Sequence, residues 1–332
     1  MTVKTLGILL TLLWIPVAFS MVVANDLADT ILLVVHSPDR IFSYDLGTDA
    51  MDEVHYGLNQ PNHSNNLGAV DRSYEGEYVS FIEIEGTESR LVIQNMEAST
   101  LERFEEFRAA TWSPTMNVFA TVNLDGDLVI YDMEEQTITH SWNFMGEQGD
   151  LTWSPDSRFL AFYSSVDIET GQEPDRLFEK FIYIMEIQSG STTLVADESN
   201  ACGPYSDYRY LEWSPDGERL AFSAQCAASR NAPIFAIELN GFLTSETWTP
   251  DAIELRQLTV ADATRHGTAG LAWSPDGETL VFTNAPLGDG VTLEPYLYAI
   301  ELSEAESEGA QVPEIFLDFS DFGTYVSSPV WY

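Results

Sequence analysis

Short apolar runs recur along the chain, separated by clusters of serine, proline, aspartate and glycine, and several of them follow the same turn string. Trp153-Ser154-Pro155-Asp156 leads into Phe159-Leu160-Ala161-Phe162. Trp213-Ser214-Pro215-Asp216-Gly217 leads into Leu220-Ala221-Phe222, and Trp273-Ser274-Pro275-Asp276-Gly277 into Leu280-Val281-Phe282. Trp112-Ser113-Pro114 leads into Phe119-Ala120, and a worn copy runs Ser73-Tyr74-Glu75-Gly76 into Val79-Ser80-Phe81. Proline presets φ for the second turn position, aspartate bonds locally to the backbone, and glycine takes the left-handed conformation that closes the turn. The apolar run that follows reads as a strand. Ser157 and Met116 stand where the other copies have glycine, so those two turns are expected to be strained or differently shaped.

A second string repeats with the first: an apolar strand ending in an acid or amide and one more apolar residue. Its copies are Ile41 to Leu46, Leu91 to Met96, Leu128 to Met133, Ile182 to Ile187, Ile234 to Leu239 and Leu297 to Leu302. A third strand follows, as in Gln136 to Trp142, Thr192 to Ala196, Ile253 to Thr259 and Glu314 to Phe319. Turns number five and second strings six. The first unit begins at Ile31 to His36, already past its turn, and the chain ends on Pro329-Val330-Trp331-Tyr332, which has the form of the strand that precedes a turn. The expectation is an all-β, six-bladed β-propeller spanning 29–332, closed where the C-terminal strand around Trp331 joins the first blade; closure removes exposed sheet edges.

At these residues the chain resembles the TolB-type, WD40-like propeller unit, which also occurs in relatives of prolyl oligopeptidase. The resemblance covers roughly residues 29 to 332 and implies a fold, not a function. The extra N-terminal domain of TolB has no room here, and the Gly-His and Trp-Asp pairs of the eukaryotic WD repeat are missing, so a TolB role is not carried over. The resemblance also implies a strand order: the tryptophan strand innermost, lining a channel, with three more strands running outward. The turns then lie on one face. The loops between second and third strands, and those between blades, lie on the other.

Spacing shows where loops have grown. The tryptophan step is 41 from Trp112 to Trp153 and 60 for each of the next two. The additions Ser164 to Lys180, Asp197 to Arg209, Ala227 to Asn231, Val260 to Gly270 and Ala285 to Glu294 all fall on the loop face, and Asn240 to Ala252 falls on the turn face. Tyr205, Tyr208, Arg209, Arg265 and His266 belong to the loop-face additions and form a candidate binding face, with packing among loops as the alternative for the tyrosines. Cys202 and Cys226 fall at the same end of one blade, either as a disulfide pinning a long loop or as two separate thiols.

Charge excludes some partners. There are 53 acidic against 14 basic residues, net −39, and the only lysines are Lys4 and Lys180. Such a field repels phosphates and anionic lipid, so neither nucleic acid nor an anionic membrane surface is expected. It either attracts cationic partners or suits a salty or acidic medium. Residues 6–24 carry no charge, follow Lys4, and place Val22 and Ala24 before a cut at Asn25; this reads as a signal peptide, 1–24, or else an uncleaved anchor, and implies a periplasmic or extracellular protein. Asn62-His63-Ser64 matches a glycosylation acceptor.

Catalytic chemistry is thin. No Gly-x-Ser-x-Gly elbow occurs. His36, His55, His63, His140 and His266 show no close ligand spacing. Asp125-Gly126-Asp127 reads as a hairpin turn. No catalytic, cofactor or metal residues are assigned. The function expected is a non-enzymatic scaffold binding a protein, peptide or glycan on the loop face; the alternative is a calcium-dependent, lactonase-like hydrolase or lyase with its site in the channel, which requires three or more convergent carboxylates or amides on the innermost strands.

Overall fold

The computed structural model describes residues 30–36, 40–54, 66–85, 88–144, 147–168, 177–197, 207–225, 232–244, 253–260, 268–284, 296–303, 305, 309–321 and 325–331. These form 24 strands in six four-stranded antiparallel sheets, each of them one blade. From the innermost strand outward, blade 1 is β24 (Tyr325–Trp331), β1 (Thr30–His36), β2 (Arg40–Asp45) and β3 (Ala50–Glu53). Blade 2, in the same order, is β4 (Asn66–Arg72), β5 (Tyr78–Glu85), β6 (Glu88–Asn95) and β7 (Thr100–Phe104). Blade 3 is β8 (Thr111–Trp112), β9 (Val118–Val122), β10 (Leu128–Asp132) and β11 (Thr137–Trp142). Blade 4 is β12 (Glu147–Trp153), β13 (Phe159–Ile168), β14 (Leu177–Glu186) and β15 (Thr192–Ala196). Blade 5 is β16 (Asp207–Trp213), β17 (Arg219–Gln225), β18 (Ile234–Glu238) and β19 (Glu254–Gln257). Blade 6 is β20 (Thr268–Trp273), β21 (Thr279–Asn284), β22 (Tyr296–Glu301) and β23 (Glu314–Asp318).

The expected closure is present: Trp331 pairs with Ile31 and Val330 with Leu32, so the last strand of the chain completes the first sheet. The core lies between blades rather than inside one. Six apolar clusters fill the six seams. The seam between blades 4 and 5 joins Ala161, Ile182 and Ile184 to Tyr208, Trp213 and Phe222, and the closing seam joins Ile31 and Leu33 to Ala272, Val281 and Leu297. Each blade therefore needs both neighbours to bury its faces.

The turn chemistry is as the sequence implies. Ser154, Ser214 and Ser274 are buried. Their hydroxyls donate to Asp156, Asp216 and Asp276 at 2.5–2.7 Å, and each accepts the N–H five residues on at 2.9 Å. Gly217 N–H and Gly277 N–H close their turns on the serine carbonyls. The two non-glycine turns diverge. Ser157 takes the left-handed conformation (φ 57°) and keeps that closure, whereas Met116 does not, its N–H turning to the Ser113 hydroxyl at 3.1 Å instead.

One feature of the inner strands has no sequence signature. Pairing slips by a residue between Gly68 and Asp71, Gly149 and Thr152, Arg209 and Glu212, and Thr268 and Leu271. Ala69, Asp150, Tyr210 and Gly270 occupy the slips with φ of 46°, 45°, 57° and 130°. A bulge bends its strand and re-aims the residues that follow. Here four of the six inner strands carry one, next to residues that line the channel.

Candidate functional site in the channel and on the loop face

The channel holds a cavity of about 510 Å³ that runs from the bulges to the turn prolines. Its walls come from all six inner strands. Blades 2, 4 and 5 contribute Asp71, Arg72, Asp150, Tyr210 and Glu212, whereas blades 6 and 1 contribute Gly270, Leu271, Pro329, Val330 and Trp331. Three carboxylates thus line one cavity. The repeat pattern does not single out Asp71, Asp150 or Glu212; the signal that could find them is an acid one or three places before the tryptophan, or before Arg72, which takes the tryptophan's position in blade 2.

Two of the three are engaged in joining blades. Asp71 accepts the Trp112 backbone N–H at 2.9 Å and the Arg72 N–H at 2.7 Å. Asp150 accepts the Tyr210 N–H at 3.0 Å. Thr152 plays the same part for Trp213 at 3.4 Å. Indole N–H groups add to these latches, Trp153 donating to the Thr111 carbonyl at 3.0 Å and Trp273 to that of Glu212 at 3.2 Å. Such bonds satisfy inner-edge amides that no fifth strand pairs.

Glu212 differs. Its carboxyl has no hydrogen-bond or ion-pair partner among the described residues, and its residue keeps only a partial exposure, toward the cavity. Burial first, and then the charge of Asp71 on the opposite blade, push this carboxyl well above the ordinary carboxylate range. Arg72 does not answer it: its guanidinium lies over Gly76, so close that a Cβ there would sit 1.8 Å from Nη2.

Among the described residues no group of three His, Cys, Asp or Glu side chains is arranged to hold a metal ion. Of the channel carboxylates, Asp71 accepts backbone amides on both oxygens and Asp150 on one. Asp125-Gly126-Asp127 is the β9–β10 turn: Gly126 has φ 87°, and Asp127 accepts from Asn143 at 2.5 Å. His140 stacks on Trp142 on the exposed outer strand of blade 3.

On the loop face, Tyr205, Arg265, His266, Cys202 and Cys226 lie outside the described residues, as do Asn62-His63-Ser64 and residues 1–29. Tyr208 is fully buried and its hydroxyl donates to the Asp197 carbonyl. That is the packing alternative for this residue, because its ring fills the blade 4–5 seam edge-on to Phe222. Arg209 beside it is exposed. Blade 4 rises above its neighbours here: β13 and β14 pair over ten residues, out to Ile168 with Leu177, against five pairs for β9 with β10 and for β17 with β18. Lys180 braces this hairpin, its ammonium 4.0 Å over the Tyr163 ring and donating to the Tyr208 carbonyl at 3.3 Å. No described helix is long and apolar enough to cross a membrane.

No protein-family model matches the chain, and no curated protein matches it. Solved structures do. TolB from Acinetobacter baumannii superposes with a TM-score of 0.59 at 14% identity, over 92% of this chain and 67% of that one. The β-propeller domain of Cps50 (Swd1) from Myceliophteria thermophila gives 0.54 at 15% identity, over 82% and 80%. A protein assigned as TolB from Agrobacterium tumefaciens gives 0.54 at 16% identity, over 87% and 88%. What the chain has in common with these proteins is the fold, a β-propeller, here with six blades.

Proposed function

We propose that this chain is an exported binding scaffold and that a protein partner seats on its loop face. The observation that carries the reading is the contrast between the two faces. On the turn face the polar groups of the Ser-Pro-Asp strings are engaged in closing the turns themselves. On the loop face the blade 4 hairpin pairs out to Ile168 with Leu177, ten pairs against five in the corresponding hairpins of blades 3 and 5, and the long additions expected from the sequence belong to that face. Loops carried on a rigid ring are where recognition is usually built. With a net charge of −39, the partner surface that fits is cationic. Peptides with that character belong to the same reading, and a glycan would need the tyrosine-bearing segment 198–206.

The hydrolase or lyase alternative draws on the three carboxylates of the channel, and the engagement of Asp71 and Asp150 by amides weighs against it. The test is affinity capture with the chain from residue 25 onward as bait in extracts of its own organism, followed by titration of the captured protein. Saturable binding that raises Tm, unchanged by chelator, is expected. Calcium-dependent turnover of a lactone substrate, with no protein captured, overturns the proposal.

A further inference from the structure

Beyond the loop face, the channel has the features of a ligand site of its own. Its volume of about 510 Å³ falls within the range of small-molecule pockets. Aromatic residues line it: Tyr74, Tyr210 and Trp331 keep accessible surface there, while Trp112, Trp153 and Trp213 are buried in the seams. One carboxyl in this wall, Glu212, has no partner among the described residues. A partly buried, unpaired carboxyl in a cavity wall is complementary to positive charge by ion pairing, and Tyr74, Tyr210 and Trp331 in the same wall offer aromatic surface to an organic cation. We propose that this end of the channel binds a small organic cation, a protonated amine or guanidinium, with Glu212 as its counter-ion.

The surrounding groups decide between cations. Asp71 and Arg72 come from β4, Asp150 from β12 and Tyr210 from β16 itself; the linings from β8, β20 and β24 contribute no charge. Asp71 and Asp150 add negative potential while being held on amides. A divalent metal needs several convergent ligands, and the described residues do not supply them. A single charge flanked by aromatic surface needs only one.

Binding then moves a proton. In the free protein Glu212 holds its proton above the usual range, because burial and Asp71 oppose its ionisation. A cation reverses that preference, so the carboxyl ionises as the ligand enters and the affinity rises with pH until Glu212 is ionised in the free protein too.

The test is isothermal titration of the chain with agmatine and with phenethylamine at fixed moderate salt. Phenylethanol and calcium chloride are the controls, and each amine is titrated in two buffers of different ionisation enthalpy. Saturable one-site binding with proton release is expected, weakened at least tenfold in Glu212→Gln, with release abolished. Attraction of cations to a chain of net charge −39 gives instead a weak, unsaturating signal that Glu212→Gln leaves unchanged, and that result overturns the proposal. So does stabilisation by calcium with no response to either amine, or binding of an arginine-bearing peptide where free agmatine fails. Proton release by the unmodified protein supports the proposal whether or not the variant folds.

Discussion

Blades 2 and 5 stand opposite each other in the ring, and each places a carboxylate one residue before the end of its innermost strand. Asp71 in blade 2 is held by two backbone amides, one from the next blade and one from its own strand. Glu212 in blade 5 has neither, and the longer side chain stands in the channel with its carboxyl pushed above the usual range. Position in the repeat is therefore not enough to assign a role. A carboxylate at this level joins blades where an amide meets it and stands unpaired in the channel where none does.

Mutation of the two residues is the strongest way to break the comparison. Asp71→Ala strands the Trp112 and Arg72 amides and is expected to cost about 1–3 kcal/mol in urea unfolding. Glu212→Gln replaces a carboxyl whose ionisation the fold opposes and is expected to be neutral or stabilising at pH 7.5. Equal losses from the two would mean that Glu212 is also structural.

The pH dependence sharpens it. The folded chain keeps the Glu212 proton in a range where the unfolded chain, titrating near 4.5, has released it. Stability from this group is therefore lost as pH rises from about 4.5 through the folded value. Melts at pH 5 and 7.5 should show the wild type gaining on Glu212→Gln at the lower pH. A gap that stays constant contradicts the assignment.

The indole latches give a smaller contrast. Trp153→Phe removes a bond to the Thr111 carbonyl, while Trp213→Phe removes an unpartnered N–H, so the first should cost about 1 kcal/mol more than the second. The smallest effect belongs to Ser157→Gly. Relief of a left-handed residue, about 1 kcal/mol, offsets the loss of hydroxyl contacts to Ser113 and Thr115. Thermal unfolding should move little, and a large gain would mean those contacts contribute nothing.

Much of the ring was legible in the sequence because its determinants are local. Ser-Pro-Asp-Gly turns and strand-length apolar runs act within a few residues, and the surplus of second strings over turns locates closure at Trp331. The channel was not legible in the same way. Which carboxylate meets an amide depends on bulges at Ala69, Asp150 and Tyr210, non-glycine residues whose left-handed backbone nothing local announces. Tyr208 shows the same limit: its place in an enlarged segment suggested a contact surface, and seam packing with Phe222 buries it.

Face-specific variants test the division of labour most directly. Ile168 pairs with Leu177, so Asn-Gly can replace 169–176 and close the blade 4 hairpin without disturbing the ring. On the turn face, Tyr74→Ala with Met116→Ala removes two exposed apolar side chains. Binding of the captured partner to each variant, measured by titration with melting as the control for folding, separates the faces. A loop-face partner predicts loss of at least tenfold affinity in the shortened hairpin and none in the turn-face variant; full binding by the shortened hairpin, with loss in the turn-face variant, contradicts it.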